Sequence, residues 1–84
     1  MTRRISDGEL EQLERLAASG TPAPWKSFVE GRDHQSGSSF IRTPSEDIYL
    51  MGASQDDQDF LVAARNAFSD LLAELREYRT DRRS

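Results

Sequence analysis

The sequence predicts an α+β domain, ordered as an N-terminal helix, a three-stranded antiparallel meander and a long C-terminal helix (αβββα). Three observations carry this. A capped amphipathic stretch opens the chain, strand-type residues between turn formers fill its middle, and an apolar repeat of period 3.5 fills its last third.

The first helix is expected over residues 7–19. Ser6 stands at the N-cap with Glu9 three residues on, the spacing of a capping box. Ile5 before the cap and Leu10 inside the helix are spaced as a hydrophobic staple. Leu10, Leu13, Leu16 and Ala17 line one face, and Glu11 and Arg15 form an i,i+4 pair on the other. Gly20 is expected to stop the helix in the left-handed conformation, with Pro22 just beyond. Thr21-Pro22-Ala23-Pro24 then reads as a stiff connector, because proline fixes its own φ and restrains the residue before it. It delivers Trp25, the only tryptophan, whose leading reading is a core plug.

Residues 25–51 read as the sheet. Trp25–Glu30, Phe40–Thr43 and Ile48–Met51 carry the aromatic and β-branched residues of strands. A nine-residue loop, Gly31–Ser39, joins the first two, and a turn at Pro44–Asp47 joins the last two. Ser54 is placed to cap the final helix, expected over residues 56–79, with 80–84 as a charged tail that frays. Asp56, Asp57 and Asp59 suit its N-terminus, and Arg76 and Arg79 its C-terminus. Leu61, Ala64, Phe68, Leu71, Leu75 and Tyr78 step 3, 4, 3, 4, 3 as a heptad seam, widened by Phe60 and Leu72. Phe68 and Leu71 are expected against the sheet. Such a helix is about 36 Å long and overreaches a body about 30 Å across. Its end, with Leu72, Leu75 and Tyr78, then needs a cover. The economical cover is a second copy, so a homodimer or higher homo-oligomer is expected.

At 84 residues the chain is one small domain, 1–84, of marginal stability as a monomer. It has no cysteine and one histidine, which excludes a disulfide scaffold, a thiolate metal site and any site needing two imidazoles. No apolar run is long enough to span a membrane, and Met1–Asp7 lacks the apolar region of a signal peptide, so a cytoplasmic protein is expected. The net charge of −4 and isoelectric point near 4.9 argue against duplex nucleic acid as a partner. Ten arginines against one lysine allow some arginines to make bidentate anion contacts.

Candidate chemistry is sparse. Asp33-His34 with Ser36, Ser38 and Ser39 resembles a hydrolytic set in composition, but sequence neighbours on a Gly/Ser-rich loop do not orient one another, and a solvated loop is the better reading. Asp56, Asp57 and Asp59 are explained by a helix N-terminus, so no metal is expected. Gly31 to Gly37 lacks the Gly-Lys-Ser/Thr of a phosphate loop. Arg32 and Arg42 flank it and are the candidate clamp for a small anion, with Trp25 the candidate stacking residue. No enzyme activity and no cofactor are expected.

Thr21-Pro22-Ala23-Pro24-Trp25, Asp59-Phe60-Leu61-Val62-Ala63-Ala64-Arg65-Asn66 and Leu71-Leu72-Ala73-Glu74-Leu75 resemble small proteins of actinobacteria and their phages, similar to the Ead/Ea-like phage proteins. The resemblance covers most of the chain. It implies a helix, a Pro-Trp entry to a small sheet, and a long final helix, with no catalytic residues to carry over. Ser69 stands where such proteins often have proline, so an unkinked final helix is expected. The leading function is a non-enzymatic interaction protein of phage or mobile-element origin, in a bacterial cell or phage-infected host, binding a partner protein as an inhibitor, immunity or counter-defence factor. Glu46, Asp47, Asp56 and Asp57 are the candidate contact for a basic partner. The alternative is a protein that sequesters an anionic or nucleotide-like ligand at a subunit interface.

Overall fold

The computed structural model describes residues 4–35 and 37–83. The readings made for Met1–Arg3, Ser36 and Ser84 lie outside the described residues. The fold is α+β: α1 (Asp7–Ser19), β1 (Lys26–Phe28), β2 (Phe40–Arg42) and α2 (Gln55–Arg83). Among the described residues, no helix is long and apolar enough to cross a membrane.

α1 occupies the expected range. Ser6 Oγ accepts from the Glu9 N–H at 3.1 Å, which satisfies one of the free donors of the first turn. The helix does not end as expected: Gly20 is extended (φ −80°, ψ 177°) rather than left-handed. Its N–H still reaches Leu16 O at 3.2 Å, and Ala17 O accepts from a side chain elsewhere in the chain, described below. Beyond it the Ala23–Pro24 peptide is cis.

The sheet has two strands, not three. β1 and β2 pair antiparallel with Lys26 opposite Arg42, Ser27 opposite Ile41 and Phe28 opposite Phe40. The expected third strand at Ile48–Met51 reduces to one bridge, in which Ile41 and Ile48 exchange both backbone bonds at 2.8 Å. The turn between them is locked by Thr43, whose hydroxyl donates to Glu46 O and accepts from Ser45 N–H. β2 begins only at Phe40, so residues beyond Tyr49 face loop rather than strand and have no ladder to extend. They turn instead at Gly52, whose φ of +81° favours glycine, and lead into α2.

α2 is one uninterrupted helix of 29 residues, about 43 Å long. Ser54 caps it: its hydroxyl accepts from Asp57 N–H, and the Asp57 carboxylate accepts from Ser54 N–H, a reciprocal pair. The segment 80–83, expected to fray, continues the helix, so Arg76 and Arg79 stand inside it rather than in its last turn.

The core is small. Leu10, Val29, Ile41, Val62 and Leu72 are its buried apolar members. The molecule measures 55 × 31 × 17 Å with a radius of gyration of 16.0 Å, against about 12 Å for a compact chain of this length. It exposes 6491 Å² where a folded monomer of this mass exposes about 5,000 Å².

Candidate functional site

α2 touches every other element, and the side facing them buries Val62 and Leu72 together with a row of polar side chains that bond to those elements. Gln58, only 4% exposed, sends its amide to Ser27 Oγ (2.9 Å), Phe28 O (3.3 Å) and Phe40 O (3.0 Å), tying the helix to both strands. Two turns on, Arg65 donates to Ala17 O (2.9 Å) and Thr21 O (2.7 and 2.9 Å). This guanidinium caps the C-terminus of α1 from another element, which is why Gly20 has no need of a left-handed turn. Asn66 brackets Trp25 like a strand partner, accepting from its N–H at 2.7 Å and donating to its C=O at 2.8 Å. Arg76 grips the Glu14 carboxylate through two nitrogens (2.5 and 3.1 Å), and Arg79 donates to Asp7 at 2.8 Å and to Ile5 O. The Arg76 contact holds the Glu14 carboxyl below its usual range and raises the guanidinium's own value.

The apolar seam lies about a quarter-turn round the helix from this polar side, by the 100° step per residue. Leu61 (41%), Leu71 (57%) and Tyr78 (57%) stand open, and so does Phe60 (69%), while Ala64, Phe68 and Leu75 are half-buried. Leu71 is therefore not packed against the sheet as expected, and Leu72 is buried within the chain itself. The band widens at the N-terminal end of α2 into an open hollow lined by Leu50, Met51, Phe60 and Leu61, with Asp57 at its edge. Leu75 and Tyr78 lie at its other end.

The candidate ligand residues have separate partners, and no contact joins the three. Arg32 is spent on carboxylates, donating to Asp59 (2.7 and 3.1 Å) and Asp33 (2.8 and 3.1 Å). Both acids are held below their ordinary range, chiefly by that guanidinium; the Val29 N–H helps at Asp33 and the Ser27 hydroxyl at Asp59. Arg42 lies over the Phe28 and Phe40 rings at 5.1 and 5.3 Å on the outer face of the sheet, with Asp47 at 3.5 Å. Trp25 is half-buried, its indole N–H directed at Thr21 O and the Arg65 guanidinium over its ring at 5.9 Å. Of the acidic candidates, Asp57 caps α2 and Asp47 meets Arg42, while Glu46 and Asp56 are exposed.

Sequence reasoning missed Gln58, Arg65 and Asn66 as structural centres. The Ala63-Ala64-Arg65-Asn66 motif beside the Pro24-Trp25 motif was the available signal, since its last two residues hold the connector that carries Trp25. No protein-family model, curated protein or solved structure matches the chain.

Proposed function

We propose that this is a non-enzymatic interaction protein whose working surface is the apolar band of α2 from the Met51 hollow to Tyr78. One observation carries the reading: Met51, Phe60, Leu61, Leu71 and Tyr78 are in the open, while among the described residues only five apolar ones are buried. Large apolar side chains aligned on one surface mark protein contact sites. The acidic start of α2, with Asp56 and Asp57, and the turn carrying Glu46 and Asp47 favour a partner contact of basic character at that end. An inhibitor, immunity or counter-defence role in a phage or mobile-element setting belongs to the same reading, through the resemblance to the Ead/Ea-like proteins. The ligand-sequestering alternative has less support, because Arg32 is neutralised by two carboxylates.

The test places a photo-cross-linking amino acid at residue 71 and, as a control, at the exposed polar position 70 in the expressed full chain. Discrete adducts with a protein from 71 and none from 70 are expected. In parallel, Leu71→Glu at low micromolar concentration should keep its thermal midpoint. Unfolding of that variant would make the band part of the chain's own core and overturn the reading, as would the absence of adducts from every band position.

A further inference from the structure

The band needs an occupant, and the geometry of α2 points to a second copy of this chain, packed antiparallel along it. This rests on the reading of the band as a contact surface, and goes beyond it by naming the partner and its direction.

The first argument is area. The isolated chain exposes 6491 Å², about 1,500 Å² more than a folded monomer of its mass, and a standard interface removes about 800 Å² from each partner. The excess is large enough to supply one such interface. The second is register. The seam Leu61, Ala64, Phe68, Leu71, Leu75 and Tyr78 reads the same in spacing from either end. A two-fold axis between residues 69 and 70 therefore sets Leu61 against Tyr78 of the partner subunit, Ala64 against Leu75 of the partner subunit, and Phe68 against Leu71 of the partner subunit. Every layer is apolar, and the small Ala64 meets the larger leucine. The third is shape. Tyr78 of the partner subunit arrives level with Leu61, at the hollow lined by Leu50, Met51 and Phe60, so the open end of one copy fills the open hollow of the other.

The fourth argument is charge, and it selects the direction. α2 begins with Asp56 and Asp57 and ends with Arg82 and Arg83. In the antiparallel register these ends lie level with each other across the axis, and the two helix dipoles oppose. A parallel pair would set acidic end beside acidic end and basic beside basic.

The polar side of α2 stays free of the interface, since α1 and the connector already cover it. The half-buried Ala64, Phe68 and Leu75 lie between the two sides. A dimer thus finishes a core that each chain builds only in part.

The absence of cysteine makes the direction testable. Leu61→Cys and Tyr78→Cys are prepared separately, then mixed in equal amounts and oxidised with the diamide or copper–phenanthroline reagents used for disulfide trapping. The antiparallel dimer gives a disulfide between the two variants, identified by mass, and neither variant cross-links with itself above a dilute control. Self-cross-linking of each variant alone would establish the parallel arrangement and overturn the proposal. Sedimentation of the native protein provides a measurement free of any substitution. A monomer–dimer equilibrium is expected at tens to hundreds of micromolar, and Leu71→Glu should weaken it by about tenfold or more, since a charge buried without a partner is costly. A single 9.5 kDa species throughout that range overturns the second copy as occupant. If Leu71→Glu is nevertheless folded and residue 71 still captures a different protein, the band remains a contact surface and only its assignment to this chain fails.

Discussion

The two sides of α2 divide their residues unusually: on one, Gln58 is buried beside Val62 and Leu72, and on the other, four large apolar side chains stand open. The side that packs against α1, the connector and the sheet presents Gln58, Arg65, Asn66, Arg76 and Arg79. The side a quarter-turn away presents Phe60, Leu61, Leu71 and Tyr78 to solvent. The difference teaches what this fold lacks. Its short strands and its connector leave backbone groups without ladder partners, and long amide and guanidinium side chains reach those groups while covering apolar surface with their stems. Polar residues are thus recruited inward where backbone groups need partners, and the apolar repeat is left for another use.

The largest effect should come from exchanging the character of the two sides. Arg65→Met keeps the unbranched stem but strips Ala17 O and Thr21 O of their charged donor. We expect a loss of about 3 kcal/mol, the scale of charge-assisted bonds to groups left unsatisfied. Leu71→Ser on the open side should change the stability of the dilute chain by less than about 0.5 kcal/mol. Urea unfolding at low micromolar concentration compares them, and equal losses would mean that the two sides are not distinct. Gln58→Leu comes next. It preserves volume and removes the amide that joins Ser27, Phe28 and Phe40, and should cost about 2 kcal/mol by the same measurement.

Much of the fold could be read from the residues because its signals are local. Ser6 with Glu9, and Ser54 with Asp57, each lie within one turn of the helix they start, and both helix starts appear where those residues place them. β1 and β2 fall inside their expected ranges, shortened to three residues each. What could not be read was set at a distance. The sequence expectation that Leu71 packs against the sheet fails because periodicity shows that a face is apolar, but not what lies opposite each of its residues. Arg65 acts 44 residues away in sequence from Thr21, and Arg79 acts 72 residues away from Asp7. No spacing rule links such pairs. The third strand failed for a related reason: Ile48 and Tyr49 have strand-type side chains, but a strand needs a partner of matching length, and β2 offers only Ile41 for a backbone exchange.

The two ends of α1 extend the comparison to smaller effects. Its N-terminus is satisfied by its own neighbour, Ser6, and its C-terminus by Arg65 of α2. Ser6→Ala should cost about 1 kcal/mol. The loss should be confined in space, with amide exchange quickening at Glu9 and leaving Trp25 unchanged. Arg65→Met should quicken exchange at both Gly20 and Trp25, because its side chain joins α1 to the connector. Amide exchange by NMR reads both variants, and equal spread from Ser6→Ala would remove the distinction between a local cap and a cap supplied from across the fold.

The smallest effect concerns acid, and it contrasts the Arg32 cluster with the open carboxylates of Glu46 and Asp56. Asp33 and Asp59 titrate below their ordinary values because Arg32 donates to both. A carboxylate whose folded value is depressed contributes stability that is present above its unfolded value, near pH 4, and is lost as pH falls through the folded value. The acid limb of the native protein should therefore steepen below about pH 4. Asp59→Asn keeps the shape of the side chain and removes one of the two carboxylate charges on Arg32, so its stability should fall less between about pH 5 and pH 3 than that of the native protein. The cluster is part-exposed, so solvent and salt screening keep the difference small. Glu46→Gln removes an exposed acidic charge away from the Arg32 cluster and serves as the control for overall charge. Thermal midpoints of the three proteins across that interval decide the matter. If Glu46→Gln flattened the limb as much as Asp59→Asn, the acid response would belong to overall charge, and the pairing around Arg32 would have no separate part in it.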